Sequence, residues 1–120
     1  MDKNILSLIV EAWRFSRVFR DILPKLNDED SLRCKGRYSW FCKRLEEISG
    51  DMGLRIIEIS PGTAYDIGMA VTPVNVDDFD AEESLCVMNM IEPIIMSGES
   101  VIKTGTVILE RAEENELCRN

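Results

Sequence analysis

Residues 5–26 read ILSLIVEAWRFSRVFRDILPKL, and within them Ile5, Leu8, Ala12, Phe15, Phe19, Ile22 and Leu26 follow alternating steps of three and four. That spacing lays one apolar seam along a helix. Leu6, Ile9 and Trp13 form a neighbouring stripe, so the apolar face is wider than a two-stranded seam needs and fits a bundle of three or more helices. Asp2 or Asn4 offers a short polar side chain to cap the open amides at its start. Pro24, which has no N–H, bends the helix or ends it.

Downstream, the polar stretch Asn27 to Ser31 reads as a connection, and helical spacing returns from Tyr38 at Phe41, Leu45, Ile48 and Met52. Lys43, Arg44, Glu46 and Glu47 face away from that stripe, and Gly53 stands where a left-handed helix terminator is wanted. The two ladders together present more apolar surface than a pair of helices can hide from water. The expectation is a homodimer in which two helices of each copy pair as a four-helix bundle, with Leu8, Phe15, Phe19, Phe41 and Leu45 in its core.

Beyond Gly53 the pattern changes. Leu54 to Ile59 is rich in branched residues and is punctuated by Ser60, Pro61, Gly62 and Thr63, the signature of a strand and a turn. Gly68 to Val76 is a second extended piece, and Pro73 suits it to a sheet edge. An acidic loop with Asp77, Asp78, Asp80, Glu82 and Glu83 precedes a long apolar run from Leu85 to Met96, broken by Glu92 and Pro93. Ser97 to Ser100 turns the chain into Val101 and Ile102, and Gly105 is read as a further turn before Thr106 to Leu109. The expected fold class is therefore α+β. Residues 1–53 form the helical dimerisation region, 54–112 a small, mostly antiparallel β-domain, and 113–120 a charged, flexible tail.

With 120 residues, 45% of them hydrophobic, the chain has room for one ordinary core. A formal charge of −8 opposes binding to nucleic acid or anionic membrane. No apolar run approaches the length of a membrane span, and the short run Ile5 to Val10, followed by Glu11, Arg14, Arg17 and Arg20, lacks the layout of a signal peptide; the expectation is a cytoplasmic protein.

Catalytic or metal chemistry has little to build on. There is no histidine, and Cys34, Cys42, Cys86 and Cys118 show no CxxC pairing, so they read as reduced, mostly buried thiols rather than as a zinc set. The acidic loop offers oxygen ligands to a divalent cation but lacks the glycine and terminal glutamate of an EF-hand loop. Gly62, Gly68, Gly98 and Gly105 form no phosphate-cradling spacing. Neither a metal nor a cofactor is expected, and the chain is not read as an enzyme. Trp13 and Trp40 fall on helix stripes, while Met88, Met90 and Met96 make either core or an adaptable docking surface.

The order of short segments resembles the GrpE nucleotide exchange factors. Asp21-Ile22-Leu23-Pro24-Lys25-Leu26-Asn27-Asp28 is similar to that family's LLPVLDN segment, with its in-helix proline. Tyr38 to Glu47 followed by Gly53-Leu54-Arg55-Ile56-Ile57 resembles its second helix and FGVEEI-type lead into the β-domain. Pro61-Gly62-Thr63-Ala64-Tyr65-Asp66 stands where the family has a glycine and an FDP motif, and Met69-Ala70-Val71 matches its HEAV element without the histidine. Ile94-Ile95-Met96-Ser97-Gly98 resembles VLQKGY, and Gly105-Thr106-Val107-Ile108-Leu109 resembles the closing GRVLRPA strand. Two departures stand out: Glu99 replaces the tyrosine after the glycine, and Leu109-Glu110-Arg111-Ala112 replaces the Arg-Pro-Ala ending. The resemblance implies a homodimeric co-chaperone that binds the nucleotide-binding domain of an Hsp70-like (DnaK-type) ATPase and promotes ADP release without catalytic residues. It also implies that the sheet face and its turns carry the contact, at Met88, Met90, Glu99, Lys103 and Arg111. The competing expectation is an adaptor that keeps the fold without exchange activity.

Overall fold

The computed structural model describes residues 2–115, and the chain divides into two compact units, residues 1–55 and 56–120. In the first, α1 (Lys3–Ile22) begins where Asp2 Oδ1 accepts a hydrogen bond from the Asn4 N–H at 2.8 Å. It gives way to a single 3-10 turn, Leu23–Lys25, at Pro24. The proline ends the α-helix because it brings no N–H to the ladder. The connection is shorter than Asn27 to Ser31: Asn27 is itself the cap, its Oδ1 accepting from the Asp30 N–H at 2.8 Å, and α2 (Asp28–Asp51) starts at once. Asp28, Glu29 and Asp30 then sit in the first turn, where the helix dipole favours negative charge. Gly53, at φ +75°, terminates the segment in the left-handed conformation.

The two helices form an antiparallel hairpin. The Arg17 guanidinium donates to the Tyr38 hydroxyl at 3.0 Å, and the Phe19 and Tyr38 rings stack with centroids 6.3 Å apart. Ile9, Val10, Trp13 and Ser16 of α1 and Ser49 of α2 are the buried residues of these helices. The Arg17 guanidinium also lies 4.7 Å from the Trp13 ring centroid.

The strands form two three-stranded sheets rather than one. β1 (Leu54–Ile57), which crosses the unit boundary, β4 (Ile94–Ser97) and β5 (Ser100–Lys103) make the first, in the order β1-β4-β5. β2 (Val71–Pro73), β3 (Leu85–Glu92) and β6 (Gly105–Arg111) make the second, in the order β2-β6-β3. Pro93 is the physical reason for the split. Having no N–H to continue a ladder, it ends β3, and the apolar run resumes as β4 in the other sheet. β3 pairs antiparallel with β6, and β4 with β5, whereas β2 runs parallel to β6.

Pro73 does lie on an edge strand, and beyond it the Asn75 side chain imitates a strand. Its Nδ2 donates to the Leu109 carbonyl and its Oδ1 accepts from the Leu109 N–H, both at 2.9 Å. Cys86, Val87, Met90, Ile94, Ile95, Val107 and Leu109 are the buried apolar residues of this unit. Gly105 belongs to β6, not to a turn: a Cβ there would sit 2.7 Å from Met90 Cε and 3.0 Å from the Glu92 carbonyl oxygen. Ala112, whose N–H donates to the Ser84 carbonyl at 2.9 Å, opens a 3-10 turn, Ala112–Glu114, that includes the first two residues of the expected tail. The remainder of that tail, with Cys118, lies outside the described residues.

Candidate interaction surfaces

The apolar ladder that opens the sequence is not the core of the helical hairpin. Ile9 and Trp13 of the neighbouring stripe are buried, while Leu8 is 71% and Phe15 66% exposed, with Val18 and Ile22 exposed beside them. On α2, Phe41 and Ile48 are also exposed. The buried residues of α1, Ile9, Val10, Trp13 and Ser16, lie on one side of the helix, and the strict ladder is turned roughly a third of the way round from them, with its Phe19 stacked on Tyr38 of α2.

Three of the five expected dimerisation residues come together. Phe15, Phe19 and Phe41 line one groove of about 210 Å³ with Ser16, Arg37 and Tyr38. Leu8 lies two turns along α1 from Phe15, and Leu45, one turn from Phe41, is half-buried. The Tyr38 phenol at the groove's edge is held above its ordinary pKa, first by burial and then by its hydrogen bond with the Cys42 thiol. Cys34, Cys42 and Cys86 are thiols outside any disulfide, and of the three only Cys86 is buried, Cys34 and Cys42 being half-buried on α2.

The five expected contact residues of the β-unit are scattered. Met88 sits at the irregularity between Val87 and Asn89 in the β3–β6 pairing, which turns it outward, 43% exposed. Met90 is 6% exposed and is a core residue: its sulfur accepts from the Ile59 N–H at 3.3 Å and its methyl packs against Gly105. Glu99 is exposed in the turn after Gly98, which has φ +61°. Lys103 Nζ lies 3.4 Å from Glu92 Oε1, the same oxygen that accepts from Thr106 Oγ1 at 2.8 Å. Arg111 donates through Nε to Glu83 Oε1 at 2.7 Å, and its guanidinium lies 5.2 Å from the Phe79 ring centroid. The two cations therefore serve separate internal clusters, and Thr106 and Arg111, five residues apart on β6, are about 17 Å from each other.

Arg111 fastens an element that the sequence presents only as an acidic loop. The hydrogen bond from Arg111, followed by one from the Asp80 N–H, holds the Glu83 carboxyl below its usual range. The loop faces the segment around Tyr65 across a cleft of about 700 Å³. Nothing in the strand pattern announces this cleft. Its one signal is Ile67, an apolar β-branched residue in the turn Asp66–Met69, where Asp66 Oδ1 accepts from the Gly68 N–H at 3.3 Å. Among the described residues no three His, Cys, Asp or Glu side chains group as metal ligands. No helix among the described residues is long and apolar enough to cross a membrane.

Fold and surfaces define an α+β chain with a helical hairpin, a two-sheet β-unit and apolar faces turned outward. Comparison with protein-family models, curated proteins and solved structures finds no match in any of the three.

Proposed function

We propose that this chain is a homodimeric, GrpE-like co-chaperone that binds the ATPase domain of an Hsp70-like protein and promotes ADP release. The observation that carries the reading is the set of ladder residues left exposed, Leu8, Phe15 and Ile22, beside the groove lined by Phe15, Phe19 and Phe41, which gives a second copy an apolar face to cover. The order of segments, helices first and a small two-sheet unit after, agrees with the resemblance noted above. Exchange needs no catalytic residue. A partner that binds the open nucleotide cleft better than the closed one by about 3 kcal/mol shifts opening more than a hundredfold.

Stopped-flow release of a fluorescent ADP from the Hsp70-like proteins of the same organism tests this reading. The expected result is faster release in the presence of the chain, abolished by the Met88→Asp, Glu99→Lys double variant with the dimer intact. Both residues are exposed, so the double variant preserves the fold, whereas Lys103→Glu would set a second carboxylate beside Glu92. Unchanged release with every such protein would replace the exchange reading with the adaptor.

A further inference from the structure

The cleft in the β-unit is built, apolar and oppositely charged to most basic partners. Tyr65, Ile67, Val76 and Phe79 line it, with Asp66 and Asp80 among its carboxylates. One wall is tied to β3: Gly62 N–H donates to the Val87 carbonyl at 2.8 Å, Val87 N–H to Thr63 at 2.9 Å and Tyr65 N–H to Leu85 at 2.9 Å. The other wall is held by the Arg111–Glu83 pair and by the Asp80 N–H, which donates to Glu83 Oε2 at 2.9 Å. Both walls are thus preorganised, which lowers the ordering cost of binding. Ile67 is 91% exposed and shares the cleft with the other apolar side chains, so it is part of a patch rather than a scattered surface residue.

Charge selects the occupant. The first unit carries 11 Lys and Arg against 9 Asp and Glu, a net of +2, while the second carries 3 against 13, a net of −10. Glu83 spends its charge on Arg111, but neither Asp66 nor Asp80 has a cationic partner among the described residues. Such a field repels phosphate-bearing partners and attracts Lys and Arg. We propose that this cleft docks a segment of a partner protein in which Lys or Arg stands beside a bulky apolar residue, the apolar group resting on Ile67, Tyr65 and Val76 and the cation meeting Asp66 and Asp80. The assignment is independent of the exchange reading, because it names a chemistry and not an ATPase.

The test uses the full chain, isotope-labelled for NMR, and three short labelled peptides that alternate Lys with Leu, Lys with Ser, and Glu with Leu. The Lys-Leu peptide is expected to shift amides of residues 64–67 and 76–85, to bind about tenfold more tightly than the Lys-Ser peptide, and to weaken several-fold as salt is raised. The Glu-Leu peptide should not bind. Ile67→Ser and the Asp66→Asn, Asp80→Asn pair should each weaken the Lys-Leu peptide by about fivefold, while Leu32→Ser, an exposed change on α2, leaves it unaltered. Equal binding of the Lys-Leu and Lys-Ser peptides, shifts centred on the helices, or an Ile67→Ser variant that binds like the parent overturns the proposal. No arm contains an ATPase, so a failed ADP-release experiment and a failed peptide experiment are separate results.

Discussion

Gly105 and Gly36 show how the same residue type answers to different neighbours. On β6, an added methyl at Gly105 meets Met90 Cε at 2.7 Å and the Glu92 carbonyl at 3.0 Å. The methionine end can swing aside, but the backbone oxygen cannot. Gly105→Ala should therefore cost about 1–3 kcal/mol, read as a lower urea midpoint at unchanged slope. In the middle of α2, a methyl at Gly36 meets nothing within 4 Å. Gly36→Ala should raise stability by up to about 1 kcal/mol, because alanine loses less backbone entropy in a helix. Glu83 gives a pH signature at the same scale. Its carboxyl is held below the ordinary range by Arg111 and the Asp80 N–H, so its contribution is present above the unfolded carboxylate pKa and is lost as pH falls through the lower folded value. Glu83→Gln should lower the melting temperature at neutral pH, and the gap to the parent should close on acidification.

Between residue and fold, the start of α2 depends on one amide. Asn27 accepts from the Asp30 N–H through Oδ1 while its Nδ2 donates to the Asp30 carboxylate at 3.0 Å. Asn27→Ala should cost about 1 kcal/mol, measurable by chemical denaturation, whereas Asn27→Ser should recover most of it. The segment had cap chemistry written into it, yet its polarity read as a connection, because a cap with three acids behind it looks like a loop until the helix is seen to begin there. β3 and β4 were legible as one long run broken at Pro93, and the proline does break it. That the two halves join different sheets was not legible, since β4 pairs with its hairpin neighbour β5 while β3 pairs past both of them with β6.

For the whole molecule, the proposed dimer rests on Phe15, which is 66% exposed in the single chain and lines the groove with Phe19 and Phe41. Light scattering coupled to size-exclusion chromatography should give a dimer at micromolar concentration. Phe15→Asp should give a monomer with unchanged helicity, since a buried, unpaired carboxylate is costly only in the assembled face. Phe19→Asp is a poorer probe because Phe19 also stacks on Tyr38. A parent chain that stays monomeric would remove the dimer from the proposal and leave the peptide-docking cleft untouched.

Periodicity alone determined that an amphipathic helical pair precedes a short-stranded β-unit, because a stripe at three-four spacing and runs of branched residues between turn signals each admit one regular structure. Local chemistry likewise marked Gly53 as a helix end and Pro73 as an edge residue. Which stripe of α1 is buried was decided only in three dimensions. The strict ladder and the Ile9–Trp13 stripe are both apolar in sequence, and only tertiary packing chose between them. The candidate contact residues divided for the same reason: Met88 and Met90 differ by two positions and share a chemistry, but an irregular register turned one outward and left the other under Gly105. The cleft beside Ile67 is a product of tertiary structure, since its two walls, residues 64–67 and 76–85, are set in place by hydrogen bonds to β3 and by Arg111 at the far end of β6.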